Sequence, residues 1–204
     1  MKEQWIKYAP RDFFDELLTS NSNPRIAARA LVKYFKGISS EEMEQRANAA
    51  RLAIRDMGVS FSLSSKGEDK ERPWPFDIIP RTIGSQMWNE VALGLKQRTK
   101  ALNLFIDDIY NSQNILRDGI VPTNVVLDSP NFKTACSGFT PPYKAWANIC
   151  GTDLVRDETG RFLVLEDNLR VPSGVAYMLE NRDVTKRILP ELFRNYSIVP
   201  VDDY

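Results

Sequence analysis

The sequence predicts an α+β protein in which helices pack on a mostly antiparallel sheet. Helical apolar spacing fills the first half of the chain, a strand–turn–strand pattern occupies residues 145–168, and prolines and glycines mark the element boundaries. The 204 residues, 43% of them hydrophobic, suffice for one sizeable core. The chain therefore reads as a single α+β unit, with a mainly helical supporting segment over 1–72 and a second segment over 73–204.

Pro24 opens a stretch in which Ile26, Ala27, Ala30, Leu31 and Tyr34 follow helical spacing, and Gly37 ends it. The next helix begins at Ser39-Ser40-Glu41-Glu42, a capping-box pattern of Ser39 with Glu42, and runs to Met57 before Gly58. Val59, Phe61 and Leu63 then alternate with serines as a short strand, and Lys66–Arg72 reads as a charged, solvated loop.

The segment Trp74–Arg81 is extended and pinned by prolines. It leads into a long helix from about Ser85 to Tyr110, whose Trp88, Val91, Ala92, Leu95, Ala101, Leu102, Phe105, Ile106 and Ile109 suit burial along one side. Asp107 and Asp108 diverge by about 100° on such a helix, so they read as a solvated face rather than a metal pair. A turn-rich connection over 111–122 precedes a short apolar strand at Val125–Leu127 and a loop containing Pro130, Pro141 and Pro142. The last helix spans about Asp183–Phe193, with Pro190 kinking it or ending its regular part.

The segment Gly151–Gly174 carries the most chemistry. Two apolar-rich runs, 145–155 and 161–168, flank Asp157-Glu158-Thr159-Gly160, which reads as a hairpin turn. Strand alternation puts Glu166 and Asn168 on one face, and Asp167 and Arg156 on the other, giving Arg156 a structural role. If the turn pairs Asp157 with Gly160, Asp153 falls opposite Val164 and diagonal to Glu166, within reach of a shared ion. A one-residue slip or bulge breaks that arrangement. On spacing alone the set fits either a solvated hairpin face or a hard-oxygen metal site. Arg170-Val171-Pro172-Ser173-Gly174 continues as a loop able to present backbone N–H groups and an Arg to an anion.

Composition removes several function classes. Lys and Arg total 27, as do Asp and Glu, so bulk charge favours neither nucleic acid nor an anionic membrane as partner. No apolar run approaches the ~20 residues that span a bilayer. Met1–Trp5 lacks a signal peptide's apolar region, so a cytoplasmic location is expected. The chain has no histidine, which excludes Ser-His-Asp and Cys-His sites. Cys136 and Cys150 are too few and wrongly spaced for a disulfide scaffold or a metal clip, and read as reduced thiols in or near the core. A P-loop pattern is absent.

Five blocks in order carry a family resemblance: PWPFDIIPR at 73–81, QRTKALNLFIDDIY at 97–110, ILRDGIVP at 115–122, GTDLVRD at 151–157 and LEDNLRVPSGVAYMLENR at 165–182. The chain resembles the circularly permuted type 2 ATP-grasp proteins, which are related to the synthetase part of glutathionylspermidine synthase. The resemblance implies the N-terminal portion of a circularly permuted ATP-grasp fold. It further implies an ATP-dependent ligase that joins a small carboxylate or peptide to an amine through an acyl phosphate. Asp153, Glu166 and Asn168 match the family's Mg2+ ligands; Arg170, Ser173 and Gly174 match a stretch beside the site that would contact ATP phosphate or carboxylate, with Arg170 also in a catalytic role.

Family members are more than twice this length, and the following half carries the lysines and glycine-rich loop that hold ATP. The chain is thus expected to need that C-terminal half, in cis or in trans, and to be inactive alone. The alternative is a non-catalytic binding or assembly module that keeps part of the fold. Glycoside hydrolysis by Glu166 and Asp153 is a weaker third reading, because it gives Asn168 no role.

Overall fold

The computed structural model describes residue 8, residues 13–65 and residues 68–203. A 3₁₀ turn at Ile26–Ala28 leads into α1 (Arg29–Gly37), followed by α2 (Ser40–Asp56) and the strands β1 (Ser60–Ser65) and β2 (Glu68–Pro73). Next come α3 (Ser85–Tyr110) and the short α4 (Asn114–Arg117) and α5 (Thr123–Leu127). Strands β3 (Gly151–Arg156) and β4 (Phe162–Asn168) precede α6 (Gly174–Ile188) and α7 (Pro190–Asn195). The class is α+β. Among the described residues the strands form two separate two-stranded ribbons, β1 with β2 and β3 with β4, rather than one sheet under the helices. No described helix is long and apolar enough to cross a membrane.

The chain divides into two compact units: Met1–Gly84 with Arg156–Arg161 and Ser173–Tyr204, and Ser85–Val155 with Phe162–Pro172. The core of the first is built by α1, α2, α6 and α7. Leu31 and Phe35 on α1, Ala50 and Ile54 on α2, and Val184 and Ile188 on α6 lie four apart, so each pair stacks along one helix face. They meet Leu189 and Leu192, and both Phe35 and Leu189 are wholly buried. Trp74, Phe76, Ile78 and Ile79 of the proline-pinned segment pack against this cluster. Trp74 stacks on Tyr177 at 4.0 Å between ring centroids, and its indole N–H donates to Asn181 Oδ1 at 2.8 Å.

Ser39 Oγ accepts from the Glu42 N–H at 3.0 Å, which satisfies one orphan donor and starts α2 as the capping pattern predicts. The other end of the bundle is set by Pro190. Lacking an N–H, it cannot extend α6, so that helix stops at Ile188 and Pro190 becomes the first residue of α7. Arg46 bridges the break: its Nη1 donates to Ile188 O at 2.5 Å and to Glu191 Oε2 at 3.2 Å, and its Nη2 donates to Glu42 Oε1 at 2.7 Å. Tyr34 donates its hydroxyl to the same Glu191 carboxylate at 3.0 Å. Arg46 thereby holds the Glu191 carboxyl down at about 2, while burial, then Glu191, push the Tyr34 phenol up to about 12.

Phe14 is clamped in the same unit. The Arg25 guanidinium lies 3.8 Å from its ring centroid and that of Arg156 4.6 Å. Gly160 in the hairpin turn adopts φ +91°, and a Cβ there would collide with the Phe14 ring. Glycine is needed at this position twice over, for the left-handed backbone and for the close approach.

In the second unit, Ile109, Leu116 and Val126 form a small core with Phe105, Tyr110, Ile115, Val121 and Phe132 around it. Asp107 and Asp108 are not a solvated face. Asp107 is buried, 8% exposed, and accepts from Lys144 Nζ at 2.7 Å and the Trp146 indole at 3.2 Å. Lys144 and then Trp146 hold its carboxyl below the ordinary range, so the buried charge is paired and hydrogen-bonded. Asp108 accepts from the N–H groups of Asn114 and Ile115 at 3.0 and 2.9 Å and starts α4. The stripe of α3 is only half covered: Val91, Ala92, Leu95, Leu102, Phe105 and Ile106 are intermediate, whereas Trp88 and Ala101 are exposed.

Several elements differ from the sequence reading. Val125–Leu127 lies in α5, not a strand, with Val126 buried and its neighbours exposed, as one turn of helix requires. The charged run after Gly67 is strand β2, an antiparallel partner of β1 from Ser60↔Pro73 to Ser65↔Glu68; charges are tolerated on an edge strand. The expected loop's Lys66 and Gly67, like Met1–Trp5, lie outside the described residues. The last long helix starts at Gly174, nine residues before Asp183, and ends at Ile188.

Two outcomes follow for stability. Because Glu191 is depressed, its contribution is present above the ordinary glutamate value and is lost as pH falls from about 4.5 towards about 2. Glu191→Gln should remove that acid-side slope from pH-dependent denaturant melts and cost about 1 kcal/mol near neutral pH, a small value because the pair is partly solvated; an unchanged slope would refute the coupling. Gly160→Ala should cost about 1–3 kcal/mol from backbone strain and collision. Thermal melts should show part of that loss recovered in a Phe14→Ala background, where the collision is gone.

Candidate metal and anion site on the β3–β4 hairpin

The turn of the hairpin is organised by one carboxylate. Asp157 Oδ1 accepts from Thr159 N–H at 3.0 Å, Thr159 Oγ1 at 2.7 Å and Arg161 N–H at 2.8 Å. The Thr159 hydroxyl is the main reason its carboxyl lies below the usual range. Gly160 N–H donates to Asp157 O, and Asp157 N–H donates to Arg161 O, both at 3.0 Å. The pair that closes the turn is therefore Asp157 with Arg161, not Asp157 with Gly160 as the sequence suggests, and Gly160 is the left-handed residue of a three-residue loop.

Counted from that pair alone, Asp153 would face Leu165. The open end has a different register. Thr152 Oγ1 donates to Asp167 Oδ1 at 3.0 Å, and a Cβ on Gly151 would lie 3.8 Å from Asn168 Cβ, so 152 stands opposite 167 and 151 opposite 168. From the closing pair 157 and 161 to the open-end pair 151 and 168 the second strand advances one residue more than the first, the offset that a β-bulge in β4 produces. Carried one step along, the open-end register sets Asp153 beside Glu166, on the face that bears Asn168.

On that face Asn168 Nδ2 donates to Glu166 Oε1 at 3.2 Å, so the amide presents its oxygen on its other side. Asp153 and Glu166 are exposed and Asn168 is half-buried. The set is two carboxylates and one amide; among the described residues no three His, Cys, Asp or Glu side chains cluster as a metal site. Oxygen-only donors of this kind suit a hard cation such as magnesium.

The other face carries a different carboxylate. Asp167 accepts from Arg98 Nε at 2.6 Å as well as from Thr152, and its side chain is largely covered. Arg98 thus anchors the hairpin from behind and does not join the oxygen set. The signal was in the sequence: an Asp between Glu166 and Asn168 must point the opposite way, and a covered carboxylate there needs a cation. Arg156, assigned a structural role by alternation, pairs with Glu16 at 2.9 Å. The two thiols are free and half-buried, and burial, then Asp167, push Cys150 up.

Beyond β4 the chain turns sharply. Arg170 is exposed, and Val171, a β-branched residue preceding proline, sits at φ +48°, a conformation that costs about 1–3 kcal/mol. Pro172 passes so close to β3 that a Cβ on Gly151 would lie 2.7 Å from Pro172 Cβ. Ser173 and Gly174 open α6 in the first unit; Ser173 has helical backbone angles and its side chain makes no capping bond.

Residues 80–204 match the circularly permuted ATP-grasp type 2 family. An uncharacterized protein of Synechocystis is 46% identical over 98% of this chain and 42% of its own length. An uncharacterized protein of Mycobacterium tuberculosis is 40% identical over 94% of this chain and 34% of its own. A Frankia casuarinae protein, provisionally named glutamate–cysteine ligase 2-2, is 36% identical over 96% of this chain and 22% of its own. The chain spans less than half the length of these curated relatives. The motif blocks and the match over most of the chain agree: this protein belongs to the circularly permuted ATP-grasp type 2 family.

Proposed function

We propose that the chain is part of an ATP-dependent carboxylate–amine ligase and that the hairpin face of Asp153, Glu166 and Asn168 is its magnesium site. The observation that carries this is the oxygen-only set on one strand face of a chain that belongs to the ATP-grasp family. In such a reaction ATP gives its terminal phosphoryl group to the carboxylate, and the amine then displaces phosphate from the acyl phosphate. Magnesium, when bound, would neutralise phosphate oxygens. Asp153 and Glu166 would supply the anionic ligands and Asn168 its amide oxygen, while Arg98 keeps Asp167 out of the set. Arg170 would meet phosphate or carboxylate, and Ser173 and Gly174 would offer the N–H groups that begin α6.

The two Frankia relatives provisionally named glutamate–cysteine ligases support carboxylate–amine chemistry. The lengths of the relatives support a further segment, in cis or in trans, that supplies the remaining ATP contacts. A cytoplasmic setting, where ATP is supplied, belongs to this reading.

Calorimetric titration with Mg-ATP of this chain together with that segment tests the assignment. Asp153→Asn and Glu166→Gln should each weaken binding about tenfold, roughly 1.4 kcal/mol. Glu158→Gln, in the exposed turn, should leave it unchanged. Identical magnesium dependence in all three variants would remove the site, and no Mg-ATP binding by the folded assembly would favour the non-catalytic module.

A further inference from the structure

The first unit contains a cavity of about 600 Å³, within the size range of small-molecule sites. Its walls come from four separate stretches: Tyr8, Phe14 to Leu18, the PFDIIPR motif through Asp77, Ile79, Pro80 and Arg81, and Arg156 of the hairpin. The ligase reading gives none of them a part in binding. Phe14 forms a fixed wall, held between Arg25 and Arg156 and backed by Gly160.

The charges around the cavity can be accounted for one at a time. Glu16 and Arg156 neutralise each other at 2.9 Å. Asp15 is occupied, its Oδ1 by the N–H groups of Leu17 and Leu18 at 2.8 and 2.6 Å and its Oδ2 by the Tyr8 hydroxyl at 2.6 Å. Asp77 takes the Ile79 N–H on Oδ1 at 3.0 Å and retains its second oxygen. Among the described residues no ion pair or hydrogen bond engages the Arg81 guanidinium, which is exposed. What remains is one planar cation and one carboxylate oxygen beside an apolar wall of Phe14, Leu17, Ile79 and Pro80.

We propose that this cavity binds the free carboxylate of an amino acid or short peptide, gripped by Arg81, with Asp77 receiving its ammonium group. An Arg fork matches a carboxylate's two oxygens. A phosphate dianion fits poorly, because the Asp15 and Asp77 carboxylates, neither paired with a cation among the described residues, share the lining and repel a second negative charge. A zwitterion satisfies both signs at once. The site stands apart from the ligase reading, since its occupant follows from the cavity's own residues.

The test is calorimetric titration of the intact protein, without ATP or magnesium, with alanyl-alanine, alanyl-alanine amide, N-acetyl-alanine and inorganic phosphate. Alanyl-alanine should bind saturably, its C-terminal amide at least tenfold more weakly, and phosphate more weakly still. Arg81→Gln should abolish the preference for the free acid. Asp77→Asn should weaken alanyl-alanine but leave N-acetyl-alanine unaffected. No saturable dipeptide binding, equal binding of acid and amide by the unmodified protein, or tighter binding of phosphate would each overturn the proposal. Because neither ATP nor magnesium is present, such a failure leaves the hairpin assignment untouched.

Discussion

The register of the β3–β4 hairpin decides what every side chain on it can do, and that register starts from the Asp157 carboxylate. Three donors converge on its Oδ1, and they fix a loop in which Gly160 alone takes the left-handed conformation. Side chains on a strand alternate with period two, so a shift of one residue exchanges the faces completely. The observed closing pair shifts Asp153 from opposite Val164 to opposite Leu165, and the one-residue offset at the open end carries it on to stand opposite Glu166. The proposed oxygen set therefore depends on both the turn and that offset. Bulges commonly re-aim side chains near functional sites, and an offset of this kind sets Asp153 beside Glu166.

The same alternation sorts the acids into two populations. Those pointing inward are paired: Asp167 with Arg98 and Thr152, and Asp107 with Lys144 and Trp146. Glu16 with Arg156 follows the same rule in the first unit. A covered carboxylate without such partners would meet a large desolvation cost. Those pointing outward, Asp153 and Glu166, stay solvated and available to an ion. Pairing within the fold thus marks which carboxylates are structural, and solvent marks which are free to bind.

Local chemistry was readable in the sequence wherever it is set within a few residues. The Ser39 cap, the glycine stop at Gly58, the extent of α3, the presence of a turn after Asp157, though not its closing pair, and the break at Pro190 each follow from neighbours in the chain. What escaped depends on distant partners. Asp107 is buried because Lys144 and Trp146, 37 and 39 residues away, reach it. Strand β2 forms despite its charges because β1 supplies the ladder. The start of α6 was hidden by Gly174, a weak helix former that begins the element nonetheless. Of the candidate site, the face shared by Glu166 and Asn168 was legible from alternation, whereas the position of Asp153 depends on the one-residue register offset, which leaves no mark in the sequence.

The two units differ in how far their apolar surface is closed. In the first, Phe35 and Leu189 are fully enclosed and four helices contribute to one cluster. In the second, Leu93 on α3 is 67% exposed and Leu165 on β4 is 68% exposed, and Leu163 and Val164 show that both faces of the ribbon are open. A two-stranded ribbon is marginal in water, and a strand apolar on both faces is the pattern of a sheet interior. The candidate magnesium ligands therefore sit on a ribbon with unburied apolar surface on both faces. Whatever covers that surface would also fix the carboxylates in place, so under the proposed assignment metal affinity and the stability of the hairpin would be one coupled quantity. That coupling gives physical content to the proposal that a further segment completes the site, because the same contacts that bury Leu163 and Leu165 would hold Asp153 and Glu166 in the geometry an octahedral ion requires.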